Sequence, residues 1–139
     1  MTTNFQIARI ANHLFGLAAG NTPPNGYFVG LLLSIPNPDG TNINEVTSVL
    51  SGYARQLLPN NKTNLTIANN GRVSNVSQVT FPTATSPWGT IMAVGIFDSS
   101  SGGNLLYYSV QPTAKSFDVG DQAFFDVGDI FWQVQNITD

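Results

Sequence analysis

The sequence lacks cysteine and is poor in charge and in long apolar runs. Without cysteine, the chain has no disulfide bonds and no thiolate metal sites. Charged residues make up 9% of the 139 residues, against about a quarter in an average globular protein. No apolar run reaches the roughly 18 residues of a membrane-spanning helix, and the N-terminus has no signal-peptide pattern. We therefore predict no membrane partner.

The few basic residues are scattered, and the formal net charge is −3. No two of them lie within one helical turn of each other: they are Arg9, Arg55, Lys62, Arg72 and Lys115. Binding to a phosphate backbone requires a concentrated basic surface. The sequence therefore predicts no nucleic-acid partner.

Residues that commonly carry catalysis are equally scarce. His13 is the one histidine, and Glu45 is the one glutamate. A catalytic triad needs a histidine between a nucleophile and an acid, and a zinc site needs several histidines or cysteines. Neither set is present in a suitable pattern, so we interpret His13 as a partly exposed helix residue. We predict that the protein is not an enzyme and has no cofactor.

The chain is rich in aromatic residues, turn residues and short apolar segments, which indicates a folded protein. Its length fits one domain, residues 1–139. Residues 3–19 carry apolar side chains at helical spacing, with a second apolar face available to a partner. Residues 27–136 form a β-rich body with a long loop at 36–48. We predict a mainly β fold, an antiparallel β-sandwich or partly closed barrel of about seven to eight short strands, preceded by one N-terminal α-helix.

The strands are predicted from apolar alternation and from the turn residues between them. Loop 36–48 is long for a compact domain, and such loops are typically functional or mobile. The predicted strands are 27–35, 53–58, 65–68, 73–81, 91–97, 105–110, 124–125 and 131–134.

A tandem repeat is the strongest local signal. The sequence Phe-Asp-Val-Gly-Asp occurs at residues 117–121 and again at 125–129. Glycine and aspartate in this order favour two β-turns. Calcium binding is the alternative, because carboxylate and carbonyl oxygens are calcium ligands. The candidate ligands are Asp118, Asp121, Asp126 and Asp129.

Two tryptophans bear on the core and the surface. Trp88 lies between a proline and a glycine, and we predict that it anchors the core. Trp132 follows Phe131, so the two rings point to opposite faces of one strand. At least one ring of this pair is expected to be exposed and to mark a contact surface.

Several motifs of glycine, aromatic and turn residues follow one another in residues 53–134. They are Tyr53-Ala54-Arg55-Gln56, Val79-Thr80-Phe81-Pro82, Trp88-Gly89-Thr90-Ile91, Gly95-Ile96-Phe97-Asp98, Gly102-Gly103-Asn104-Leu105-Leu106-Tyr107, Gly120-Asp121 and Gly128-Asp129. With these motifs in this order, the chain resembles small virion proteins of tailed bacteriophages. That group includes tail-fibre-like proteins and head decoration or cement proteins.

The resemblance implies a non-enzymatic structural protein located in the virion. It implies first a capsid cement or decoration protein, which binds and stabilises the assembled head shell. The alternative is a tail-fibre or tail-tip component involved in host attachment. The implied partners are the major capsid protein or other virion proteins, with assembly as a homo-oligomer. A small calcium- or glycan-binding β-module is a third hypothesis, motivated by the two Asp-Val-Gly-Asp turns.

We expect the partner contacts in the first 48 residues, where the chain is least regular. The candidates in the helix are Phe5, Arg9 and Phe15. The candidates in the loop are Pro36, Asn37, Asp39 and Asn44.

Overall fold

The structure, a computed structural model, describes residues 1–15 and 24–133, in which one helix precedes nine strands. The predicted mainly β fold with one N-terminal helix is confirmed. The elements are α1 Asn4–Leu14, β1 Gly26–Leu32, β2 Gln56–Pro59, β3 Leu65–Ile67, β4 Arg72–Asn75, β5 Val79–Thr83, β6 Gly89–Phe97, β7 Leu105–Phe117, β8 Gln122–Phe125 and β9 Phe131–Gln133.

The described strands form three open antiparallel sheets, consistent with a β-sandwich rather than a closed barrel. The largest sheet has the order β2-β1-β6-β7, the second has the order β3-β4-β9, and β5 pairs with β8. In the largest sheet, β1 pairs with β6 so that Val29 lies opposite Ile96. Both of these residues are buried, which explains the nearly continuous apolar sequences of the two central strands.

Aromatic side chains fill the main core. Trp88 is buried, as predicted. Its ring centroid lies 5.5 Å from that of Tyr53, 6.5 Å from that of Phe81 and 6.0 Å from that of Phe117. The indole N–H of Trp88 donates to the carbonyl oxygen of Ser51 at 2.8 Å, so this buried polar group is satisfied.

Helix α1 begins at a threonine cap that also attaches it to the largest sheet. The Thr3 hydroxyl accepts from the backbone N–H of Gln6 at 3.4 Å and donates to the carbonyl oxygen of Leu105 at 2.7 Å. Threonine at this position satisfies a backbone N–H of the first helical turn. The described helix ends at Leu14 with Phe15 as its cap, and residues 16–19 of the predicted helix lie outside the described residues.

The single strand predicted at 73–81 is wrong. Residues 73–75 belong to β4 and residues 79–81 belong to β5, and these two strands lie in different sheets. The side-chain amide of Asn75 donates to the carbonyl oxygen of Ser77 at 2.7 Å, and this short-range bond accompanies the turn between the two strands. Alternating apolar residues on both sides of the turn conceal it in the sequence.

Other predicted strand boundaries are also wrong. The strand predicted at 27–35 ends at Leu32, and those predicted at 91–97 and 124–125 begin at Gly89 and Gln122. The strand predicted at 105–110 continues to Phe117, because β7 pairs with β6 again after an irregularity between Val110 and Lys115. The strand predicted at 53–58 begins at Gln56. Residue 134 of the last predicted strand lies outside the described residues.

Candidate assembly surface

Helix α1 packs on the protein through polar residues and leaves most of its large apolar residues exposed. Gln6 is its buried residue, and the Gln6 amide donates to the Tyr107 hydroxyl at 3.1 Å. By contrast, Ile7 is 45% exposed, Leu14 is 69% exposed and Phe15 is 73% exposed. An amphipathic helix of a monomer normally turns its apolar stripe towards the core. This helix therefore presents apolar surface to the outside.

Ile7, Ala11, Leu14 and Phe15 form what we call the α1 apolar face. At about 100° per residue, these four positions fall within an arc of roughly 100° on one side of the helix. Ala11 is half-buried and lies between the larger side chains. The face carries no charged residue, so a partner can cover it without desolvating a charge on this helix.

The three predicted helix contacts do not lie on one side of the helix. Phe15 belongs to the α1 apolar face, whereas Phe5 and Arg9 lie together on the other flank. The Arg9 guanidinium carbon is 5.9 Å from the centroid of the Phe5 ring. Arg9 also donates to the side-chain oxygen of Gln6 at 3.4 Å, which ties it to the buried side of the helix.

Loop 36–48 is irregular, as predicted, and its tip lies against the start of α1. The backbone N–H of Asn4 donates to the carbonyl oxygen of Pro38 at 3.1 Å. Three of the predicted loop contacts are exposed, but Pro36 is buried: the exposed ones are Asn37, Asp39 and Asn44. The structure therefore brings the helix and the loop together at one point of the surface.

Asp39 stabilises the tip of this loop. The Thr41 hydroxyl and the Thr41 backbone N–H both donate to one Asp39 oxygen, at 2.6 and 2.9 Å. These two hydrogen bonds lower the pKa of Asp39. The carboxylate is therefore charged at neutral pH and is engaged within the loop.

The base of the loop is held by an ion pair that sequence reasoning missed. The Arg55 guanidinium contacts both oxygens of Glu45, at 2.8 and 2.7 Å, and its carbon lies 3.5 Å from the centroid of the Phe97 ring. The Tyr53 hydroxyl donates to Glu45 at 2.6 Å. Arg55 also donates to the carbonyl oxygen of Ser99 at 2.7 Å. The one glutamate of the chain therefore has a structural role, and no local sequence motif predicts that Tyr53 and Arg55 bind it.

Both copies of the Phe-Asp-Val-Gly-Asp repeat form turns. In the first, the Asp121 carboxylate accepts from the backbone N–H of Asp118 at 2.8 Å. In the second, Asp129 accepts from the backbone N–H of Asp126 at 3.0 Å. Gly120 and the corresponding glycine of the second copy have φ values of +89° and +83°, in the region that favours glycine.

These carboxylates serve the turns in which they stand. Among residues 1–15 and 24–133, no three histidine, aspartate or glutamate side chains are grouped as a metal ion would require. No helix in the same residues is long and apolar enough to cross a membrane.

The ring pair of β9 points to two sides, as predicted. Trp132 is buried, whereas Phe131 is 39% exposed. The guanidinium carbon of Arg72 lies 3.7 Å from the centroid of the Phe131 ring. Phe131 therefore adds an aromatic and cationic element to the surface.

An exposed apolar face on a folded domain marks a site of contact with another protein or a membrane. The comparison with protein families identifies the kind of protein more closely. The family described as Podophage GP4 fiber I protein gp80 matches residues 2–133, and the chain belongs to this family. It is therefore a structural protein of the phage virion, and the predicted resemblance to such proteins is confirmed. Among curated proteins, none matches the sequence.

Proposed function

We propose that the protein is a fibre subunit of a podophage and that it joins other virion proteins through the α1 apolar face. The family match supports the fibre hypothesis better than the head-cement hypothesis, because the matching family is one of fibre proteins. The match covers both the helix and the β body. The fibre role therefore takes precedence over the cement role.

The exposure of the α1 apolar face is the observation that carries the assembly role. Burying a side chain such as Leu14 contributes about 1.5–3 kcal/mol. Ile7 and Phe15 flank it and are also exposed, so a partner that covers all three gains several times the thermal energy at each position. The hydrogen bonds of Gln6 and Thr3 hold the helix in place before a partner binds, and this reduces the entropy cost of docking.

A charge substitution on this face tests the assembly role. Phage particles carrying Leu14→Glu are expected to contain roughly tenfold less of the protein than wild-type particles, because the charge must lose its water in the interface. Quantitative immunoblotting of purified particles measures the content. His13→Glu is the matched control, since His13 is exposed on the same helix and lies about 150° from the centre of the face. Equal content of the two variants would refute the role of the face.

The location of the protein in the particle tests the fibre role separately. Electron cryomicroscopy of wild-type particles is expected to show the nine-stranded body in fibre density at the tail. Density for this fold only on the head shell would refute the fibre role and support the cement role.

A further inference from the structure

Two turns of the β body present large apolar side chains to the outside. In the turn before β2, Val49 is 72% exposed and Leu50 is 88% exposed. In the turn that follows β7, Val119 is 63% exposed. We call these three residues the turn patch. Clustered apolar side chains on the surface of a folded domain mark a site of contact with another molecule.

The segment between β5 and β6 joins the two turns. The backbone N–H of Thr85 donates to the carbonyl oxygen of Ser51 at 3.0 Å, and the Thr85 hydroxyl donates to the carbonyl oxygen of Leu50 at 3.2 Å. On the other side of this segment, the backbone N–H of Ala84 donates to the carbonyl oxygen of Asp121 at 2.8 Å. The two turns are therefore adjacent in the structure, although they are far apart in the sequence.

Leu50 has a backbone conformation that is unfavourable for its side chain. Its φ of +54° lies in the left-handed region, which glycine or asparagine normally occupies. The turn around it is fixed, because the Ser51 hydroxyl donates to the carbonyl oxygen of Thr47 and accepts from the backbone N–H of Tyr53. A strained leucine that is not used in the core indicates a role other than stability.

The charges beside the turn patch are negative. Asp118 and Asp121 stand on either side of Val119, and both are exposed. The turn segments contain no basic residue: they are residues 47–52, 83–87 and 118–121. Lys115 lies on β7, with its ammonium group 5.4 Å from the centroid of the Phe117 ring. The turn patch is therefore complementary to a segment that combines apolar side chains with a cation.

The turn patch and the α1 apolar face belong to opposite ends of β7. Thr3, the cap of α1, bonds to the carbonyl oxygens of Leu105 and Leu106 where β7 begins, at 2.7 and 2.9 Å. Val119 lies in the turn after Phe117, where β7 ends. At about 3.3 Å per residue, this strand spans roughly 40 Å. The two surfaces are therefore separate contact sites.

We propose that the turn patch is a second assembly contact, which binds an apolar segment of another virion protein that carries a lysine or arginine. The α1 apolar face of a second copy is a poorer match, because it carries no cation. The carboxylates of Asp118 and Asp121 disfavour an anionic membrane surface. The proposal goes beyond the α1 contact and concerns other residues, so its failure and a failure of the α1 contact are separate results.

Photocrosslinking in assembled particles tests the proposal. Val119→benzoylphenylalanine is expected to crosslink to a peptide of another virion protein, and mass spectrometry should show apolar residues and a lysine or arginine in that peptide. Val127→benzoylphenylalanine is the matched control. Val127 is also 63% exposed and has the same place in the second Phe-Asp-Val-Gly-Asp turn, but that turn contacts Asn75 and not the segment between β5 and β6.

Leu50→Gly separates binding from stability. The crosslinked peptide, made synthetically, should bind the isolated wild-type protein in fluorescence anisotropy titrations. Leu50→Gly should weaken this binding roughly tenfold or more, the effect of losing one buried leucine side chain. Because glycine relieves the backbone strain, the same variant should unfold at a higher urea concentration. A loss of binding together with a gain in stability excludes misfolding as the cause.

Four results would overturn the proposal. The first is a crosslink from position 119 that is no stronger than the crosslink from position 127. The second is a crosslinked peptide that comes from this same chain, since the partner would then be a second copy. The third is a crosslinked peptide without a basic residue. The fourth is a synthetic peptide that fails to bind the wild-type protein or binds Leu50→Gly equally well.

Discussion

Replacing Asn75 by alanine should destabilise the protein more than any exposed polar substitution. The Asn75 side chain is fully buried and uses its whole hydrogen-bonding capacity. Its oxygen accepts from the backbone N–H groups of Gly128 and Ile130, both at 3.0 Å. Its amide donates to the carbonyl oxygens of Ser77 and Asp126, at 2.7 and 3.0 Å. Alanine removes all four bonds.

The expected loss follows from these four bonds. A hydrogen bond contributes about 1 kcal/mol net, and an unpaired buried partner costs about 1–3 kcal/mol. The free energy of unfolding should therefore fall by about 4 kcal/mol. Domains are stable by only about 5–15 kcal/mol, so the melting temperature should fall by roughly 10 °C or more.

Urea denaturation followed by circular dichroism measures this loss. Asn70→Ala is the control: Asn70 is exposed, and its side chain accepts one bond, from the backbone N–H of Arg72 at 3.1 Å. The control should cost about 0.5–1 kcal/mol. If Asn75→Ala costs no more than Asn70→Ala, Asn75 does not hold β4, the second Phe-Asp-Val-Gly-Asp turn and the approach to β9 together.

Two further substitutions test the loop between β1 and β2. Leu50 is 88% exposed and has a φ of +54°, a left-handed backbone conformation that strains any residue with a Cβ atom. Leu50→Gly removes this strain and should raise the free energy of unfolding by about 0.5–1 kcal/mol in urea titrations. A decrease in the free energy of unfolding would show that the backbone at Leu50 is not strained. Burial and the hydrogen bond to Glu45 raise the pKa of Tyr53 above its ordinary value of 10. The stability from neutral Tyr53 is therefore complete below pH 10 and declines as the pH rises beyond it. Tyr53→Phe should make the free energy of unfolding fall less steeply above pH 10. An unchanged slope would show that ionisation of Tyr53 does not cause the alkaline loss of stability.

The sequence predicts the elements best where the signal is local. The glycine turns at 120 and 128 and the apolar run of β6 each depend on neighbouring residues. The break within 73–81 is different, because Asn75 finds its main partners more than fifty residues later. Alternation of apolar residues carries no information about such a partner.

The surfaces were harder to predict than the strands, for a related reason. The apolar period of α1 is the same whether the helix faces its own core or another protein. Only the structure shows that Gln6 faces inwards and that Leu14 faces outwards. The rings of Tyr27 and Tyr107 both pack against the ring of Trp132, although the three residues are far apart in the chain. Their meeting depends on sheet order, which periodicity does not specify.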